Sequence, residues 1–138
     1  MVNNRPYLLL LEENRFFLYI NNMKNSVKNY SLKTIILKDC PWSKALDELL
    51  KIKKIKSKII IVDSTTKVKY KTDMIDTFPQ FYLVDKKDYL IGGYDTTKRL
   101  LDIINENKPN IDIIKSKFKE IVPHLDDKLI LKLIILLA

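Results

Sequence analysis

The sequence predicts an α/β fold in which a mixed central sheet is flanked by helices. Two β-branched apolar runs, Lys33–Lys38 and Lys58–Val62, read as buried strands on either side of a stretch with helical periodicity. A strand–helix–strand unit implies a parallel pair joined by a right-handed crossover. Further along, Phe81–Val84 and Tyr89–Ile91 are separated by the polar Asp85-Lys86-Lys87-Asp88, the pattern of an antiparallel hairpin. The chain has 138 residues, about the size of one domain with extensions, and its 46% apolar content is enough for a core.

The elements follow in chain order. Tyr7–Leu11 and Phe16–Ile20 are apolar runs around Glu12-Glu13-Asn14-Arg15. They read as a hairpin, with a helix as the alternative for runs so short. Residues 21–29 are polar and fit a short helix or a loop. After the strand at Lys33–Lys38, Asp39-Cys40-Pro41 signals a turn, and Pro41 suits the first position of a helix. Leu46, Leu49, Leu50, Ile52 and Ile55 then recur at helical spacing. Ser64–Ile75 is polar and reads as a short helix before the hairpin. Leu100, Leu101, Ile103 and Ile104 place a helix over Thr96–Asn107. Ile111–Val122 and Leu125–Ala138 read as two more helices divided by Pro123. The expected organisation is an N-terminal hairpin-like extension over 1–30, a core domain over 31–108, and a helical extension over 109–138 packed on the same domain.

Composition narrows the function. A single cysteine excludes an internal disulfide framework and a thiolate-rich metal site. A single histidine, His124, argues against a histidine metal centre or a Ser-His-Asp triad. The apolar clusters Tyr7–Leu11 and Leu129–Ala138 fall short of the roughly 20 residues that span a bilayer, so no membrane span is expected. The N-terminus shows no signal-peptide pattern, which favours the cytoplasm or another reducing compartment. The formal charge of +8 invites a nucleic-acid reading. Yet only three of the 25 basic residues are arginine, the better reader of bases and phosphate. The abundance of lysine, isoleucine and asparagine matches A/T-rich codons, so the charge reflects codon usage and no specific nucleic-acid partner is expected. A large DNA virus, a protist or a low-G+C bacterium would fit such a genome, and a viral source would allow packaging in a virion. The charge run Lys51–Lys58 reads first as a solvated lysine face and second as an attractor of anionic substrates.

Three segments carry chemistry. Cys40-Pro41-Trp42-Ser43 lies at a strand-to-helix turn, with Cys40 at the helix N-cap. Free N–H groups and the helix dipole stabilise a thiolate there, and the thiolate is the nucleophile of disulfide exchange. A lone cysteine is more often a buried, inert one, but Cys-Pro at this turn favours reactivity. Thr77-Phe78-Pro79-Gln80 precedes a strand, where proline removes a ladder donor without loss and where a cis bond can occur. Gly92-Gly93-Tyr94-Asp95-Thr96 holds both glycines of the chain; they permit positive φ and close ligand approach, and Asp95 or Thr96 can cap the next helix.

These three segments in this order resemble the glutaredoxin family of the thioredoxin-like superfamily. The resemblance covers about residues 31–107. Dithiol members carry a second cysteine where Ser43 stands, so the chain looks like a monothiol form. The resemblance implies a thioredoxin-like fold and a glutathione-dependent thiol–disulfide oxidoreductase with electron-transport chemistry. Cys40 would be the catalytic nucleophile and would carry glutathione as a mixed disulfide. Phe78, before a cis Pro79, would pair its backbone with the cysteinyl part of glutathione. Asp95 and Thr96, after Gly93, would hold the γ-glutamyl end, and Trp42 would flank the sulfur. Lys38 is the candidate for the glycyl carboxylate, although it lies two residues before Cys40 where the family usually has three. Tyr94 stands where many members have a further cysteine. The implied partners are glutathione and glutathionylated or disulfide-bearing proteins. A thioredoxin-like binding or structural module with a degenerate site is a second reading. A glutathione-ligated [2Fe–2S] carrier is a third, disfavoured by Pro41, where cluster-carrying relatives usually have glycine. The apolar C-terminal helix would offer a homo-oligomer interface if left uncovered.

Overall fold

The computed structural model describes residues 5–71 and 77–138. In chain order it contains α1 (Arg5–Met23), β1 (Ser31–Leu37), α2 (Pro41–Ile52), β2 (Lys58–Val62), β3 (Gln80–Val84), β4 (Asp88–Gly92), α3 (Tyr94–Asn107), α4 (Ile111–Ile121) and α5 (Asp127–Leu137). Short 3-10 turns cover Lys24–Val27 and Lys67–Tyr70. The chain divides into two compact units, one of residues 29–100 and one of residues 1–28 with 101–138.

The first of these contains the sheet, ordered β2-β1-β3-β4. β1 and β2 are parallel, with Lys33 opposite Lys58 and Leu37 opposite Val62. β3 runs antiparallel to β1, placing Ile35 opposite Gln80, and β4 returns antiparallel to β3. The expected parallel pair, crossover helix and closing hairpin are all present. The result is a mixed four-stranded α/β sheet with flanking helices, the thioredoxin-like plan. Its interior is built from Ile35, Leu46, Phe81, Leu83 and Leu100, each with at most 1% of its surface exposed. The turn between β3 and β4 is closed by the Asp85 carboxylate, which accepts from the Lys87 N–H at 2.8 Å.

α2 starts where the sequence breaks. Cys40 is the N-cap with extended backbone (φ −95°, ψ 120°), and Pro41 fills the first helical position. Leu46 and Leu50, four residues apart, face inward, as the periodicity predicts.

The second unit is helical. α4 and α5 each begin with a side-chain cap. Asn110 accepts from the Ile113 N–H at 3.1 Å, and Asp126 accepts from the Leu129 N–H at 2.8 Å. Pro123 falls in the break between them, as expected. Ile114, Phe118, Leu125, Leu133 and Ile134 are fully buried. Lys132 donates to the Ser26 carbonyl at 2.9 Å, tying α5 to the turn that follows α1.

The N-terminal hairpin is corrected. α1 runs unbroken through both apolar runs and through Glu12-Glu13-Asn14-Arg15. Those four residues include no glycine, proline or Asn-Gly pair to close a two-stranded turn, and glutamate and arginine favour helix. Phe16 and Ile20, one helical turn apart, are buried, whereas Phe17, Leu18 and Tyr19 are exposed. The polar stretch Ser64–Ile75 contains only the 3-10 turn at Lys67–Tyr70 among its described residues; 72–76 lie outside them. No helix among the described residues is long and apolar enough to cross a membrane.

Candidate functional site

The C-terminal end of β1, the N-terminus of α2, the turn into β3 and the β4–α3 turn meet around Cys40. β1, an inner strand, ends three residues before Cys40, and the Cys40 N–H donates back to the Leu37 carbonyl at 3.2 Å. The half-buried thiol lies 3.9 Å from the carbonyl oxygen of Phe78. Partial burial acts to raise the Cys40 thiol. The Ser43 N–H, the Ser43 hydroxyl and the Trp42 N–H face the sulfur and outweigh it, so the thiol is held below its ordinary value. As hydrogen-bond donors these groups favour the charged form of the sulfur.

Ser43 is nearly inaccessible, at 1% exposure. Its hydroxyl oxygen accepts from the Leu37 N–H at 3.0 Å, which fixes the oxygen and leaves its proton to turn elsewhere. The serine in the Cys40-Pro41-Trp42-Ser43 segment therefore joins the end of β1 to the first turn of α2.

Opposite Cys40 stands the turn into β3. The Phe78–Pro79 peptide bond is cis. Gln80 is completely buried and holds this turn. Its amide nitrogen donates to the Tyr70 carbonyl at 2.9 Å and to the Thr77 carbonyl at 3.2 Å. Its amide oxygen accepts from the Tyr82 hydroxyl at 2.7 Å. A buried amide with its polar atoms paired is a rigid strut.

The glycine pair forms the third wall. Gly92 has φ +152°, a conformation that L side chains rarely adopt, and a Cβ there would meet the Thr96 side chain at 2.8 Å. Gly93 is less constrained; its added Cβ would stand 3.4 Å from the Pro79 carbonyl oxygen. Thr97, fully buried, donates from its hydroxyl to the Gly93 carbonyl at 2.8 Å and from its N–H at 3.2 Å. That double bond anchors the start of α3. Asp95 sits in the first turn of α3, where the helix N-terminus favours a negative charge.

Trp42, Thr77, Phe78, Pro79, Gly93, Tyr94, Asp95 and Thr96 line an open cleft of about 290 Å³. Trp42 is 59% exposed and leans on Tyr94, with ring centroids 5.5 Å apart and planes at 43°. Six residues singled out from the sequence thus share one cleft: Trp42, Phe78, Pro79, Gly93, Asp95 and Thr96. Cys40 borders it through Phe78. Lys38 does not line it; its N–H donates to the Val62 carbonyl at 2.8 Å and its side chain is exposed. Sequence reasoning missed the structural work of Gln80 and Thr97. A glutamine opening an otherwise apolar strand, and a threonine four residues after a glycine, were the available signals.

The architecture is a thioredoxin-like fold: a parallel pair and an antiparallel hairpin in one sheet, with a cysteine at the N-cap of α2 opposite a cis proline. No family model matches the chain, and no curated protein matches it. Among solved structures, it is similar to the crystal structure of glutaredoxin 1 from Francisella tularensis complexed with cacodylate. The two are 22% identical over 56% of this chain and 99% of that one, with a TM-score of 0.47.

Proposed function

We propose that the protein is a glutathione-dependent thiol–disulfide oxidoreductase that works through Cys40 as a monothiol. The observation that carries this reading is the lowered Cys40 thiol beside a cleft walled by Phe78-Pro79 and by the N-terminus of α3. The Cys40 thiolate attacks the glutathionyl sulfur of a protein–glutathione mixed disulfide. The S–S bond breaks, the substrate cysteine leaves as a thiolate and takes a proton from water. Cys40 is left bonded to glutathione. A second glutathione thiolate attacks the glutathionyl sulfur, releasing oxidised glutathione and restoring the Cys40 thiolate. The chain has no second cysteine to resolve the intermediate, so the second thiol comes from solution.

The chain's own groups divide the work of holding the tripeptide. The thiol hydrogen of Cys40 reaches toward the Phe78 carbonyl; ionisation ends that contact and leaves the carbonyl to accept a ligand N–H. The first N–H groups of α3, with the Asp95 and Thr96 side chains, face the γ-glutamyl carboxylate and amine. Gly93 lets the ligand approach that end closely. Trp42 would flank the sulfur, and Pro79 lines the same cleft. Lys38, exposed two residues before Cys40 and outside the cleft lining, is the proposed cation for a glycyl carboxylate that extends beyond the cleft.

The test is glutathione-dependent reduction of a small glutathione mixed disulfide, with Cys40→Ser alongside. Turnover by the wild type and its complete loss in the variant are expected. Residual turnover in Cys40→Ser would exclude this mechanism. Inactivity of both, with no measurable glutathione binding, would make the protein a thioredoxin-like binding module.

A further inference from the structure

The sheet is open at β2. Among the described residues, the strand order β2-β1-β3-β4 gives β2 no neighbouring strand on its outer side, so alternate backbone N–H and C=O groups there are unpaired by a described strand. Edge strands are usually defended by being short, bulged or polar on the exposed face. β2 is instead Lys-Ile-Ile-Ile-Val, and its two same-facing residues Ile59 and Ile61 are 38% and 67% exposed. Ile52 at the end of α2 and Val68 in the following 3-10 turn are 75% and 67% exposed. Four of the nine exposed large apolar residues among the described ones therefore fall between residues 52 and 68.

The same stretch is strongly basic. Residues 51–71 contain eight lysines and one acidic residue, Asp63. The next acidic residues in the sequence, Asp73 and Asp76, lie outside the described residues. Asp63 is occupied locally, accepting from the N–H and hydroxyl groups of Thr65 and Thr66. Lys51 pairs with Asp47 at 2.9 Å on α2. Lys56 and Lys58 are exposed at the entry to the edge strand.

We propose that β2 is a docking edge for an extended, acidic-and-apolar segment of a partner protein, which adds to the sheet as a further strand. Three features select that occupant. The open edge supplies main-chain hydrogen bonds to an extended backbone. Ile59 and Ile61 supply an apolar face at the two-residue period of a strand. The lysines at the strand's entry and around it favour glutamate or aspartate on the segment's other positions. A second copy of this chain would bring its own lysines against these, which is repulsive. Nucleic acid would use the charge but leave the isoleucines unpaired with anything apolar. The surface is independent of the Cys40 chemistry.

The test uses the full chain and a fluorescein-labelled peptide of alternating glutamate and valine. Alternating glutamate–glycine and lysine–valine peptides and a single-stranded oligonucleotide serve as competitors. Anisotropy at low ionic strength should show binding of the glutamate–valine peptide, with each other peptide weaker by roughly tenfold or more. Amide shifts in the labelled protein should centre on β2. The pair Lys56→Glu and Lys58→Glu, and separately the pair Ile59→Gln and Ile61→Gln, should each weaken binding by about tenfold while leaving the rest of the amide spectrum unchanged. Equal binding of the glutamate–glycine peptide would reduce the surface to plain charge and overturn the proposal. So would tighter binding of the oligonucleotide, a shift map away from β2, or self-association that occupies the edge.

Discussion

At the scale of residues, the site turns on how a lone cysteine is kept ionisable. Burial opposes ionisation of Cys40, and the Ser43 and Trp42 groups around the sulfur reverse the balance. The sign fixes the pH dependence. A thiol held below its ordinary value is already ionised at a pH where a free thiol is not, so the rate of mixed-disulfide attack should climb with pH and level off before the ordinary thiol range. Ser43→Ala removes the hydroxyl, so the midpoint of that profile should move upward; an unchanged midpoint would show that the backbone N–H groups suffice. Alkylation rate against pH, measured on both proteins, reads this directly. Gln80 gives a second residue-level expectation. Gln80→Leu keeps much of the volume but strips partners from the Tyr70 and Thr77 carbonyls and the Tyr82 hydroxyl. The buried groups left unpaired should cost about 1–3 kcal/mol of stability. Under the proposed glutathione chemistry, KM for glutathione should rise more than kcat falls, because Gln80 braces the cleft wall and has no contact with the sulfur among its hydrogen bonds. Cys40, Pro41 and Pro79 stood out in the sequence because a helix N-cap, a first helical position and a turn before a strand restrict residue type, whereas Trp42 and Phe78 stood out only through the family resemblance. Gln80 did not, because its role depends on two carbonyls ten and three residues away meeting at one amide.

At the scale of elements, the segments that read correctly carry two independent signals. β1 and β2 are β-branched and bounded by turn residues, and α2 combines a proline at its first position with leucines at helical spacing; the expected burial of β2 is corrected, since at the end of the strand order only its Val62 is buried. α4 and α5 were separable because Pro123 sits between them. α1 was misread because an unbroken apolar run has no period, and only length or a turn residue could decide. The β4–α3 turn shows the opposite case, in which two adjacent glycines look equivalent in sequence and are not. Gly92 has φ +152° and no room beside Thr96, whereas Gly93 has ordinary van der Waals space. Gly92→Ala should therefore lower stability by about 1–3 kcal/mol through strained backbone and the displaced Thr96 side chain. Gly93→Ala should cost distinctly less in a urea titration. Equal losses would mean that the turn relaxes freely, and that Gly92 is not what sets the start of α3.

At the scale of the whole molecule, the residues outside the sheet unit form a compact helical body of their own. Its chemistry is apolar packing. α5 places Leu129, Ile130, Leu133, Ile134, Ile135 and Leu137 in the interior, six of its eleven residues. Such a helix has little stability alone at this length; its order comes from burial. Leu133 is fully buried and Leu131, two residues away on the same helix, is only half-buried. Both substitutions to alanine change helix propensity equally and in the favourable direction. Any difference between them therefore measures packing. Leu133→Ala should cost about 2–5 kcal/mol, since it removes buried methyl groups and leaves a cavity that neighbours fill only in part. Leu131→Ala should cost clearly less. Amide exchange in α4 and α5 reads both changes in the body that contains them, with no reliance on the behaviour of the sheet unit. If the two variants lost equal protection, α5 would be held by its Asp126 cap and its ends and not by its apolar face.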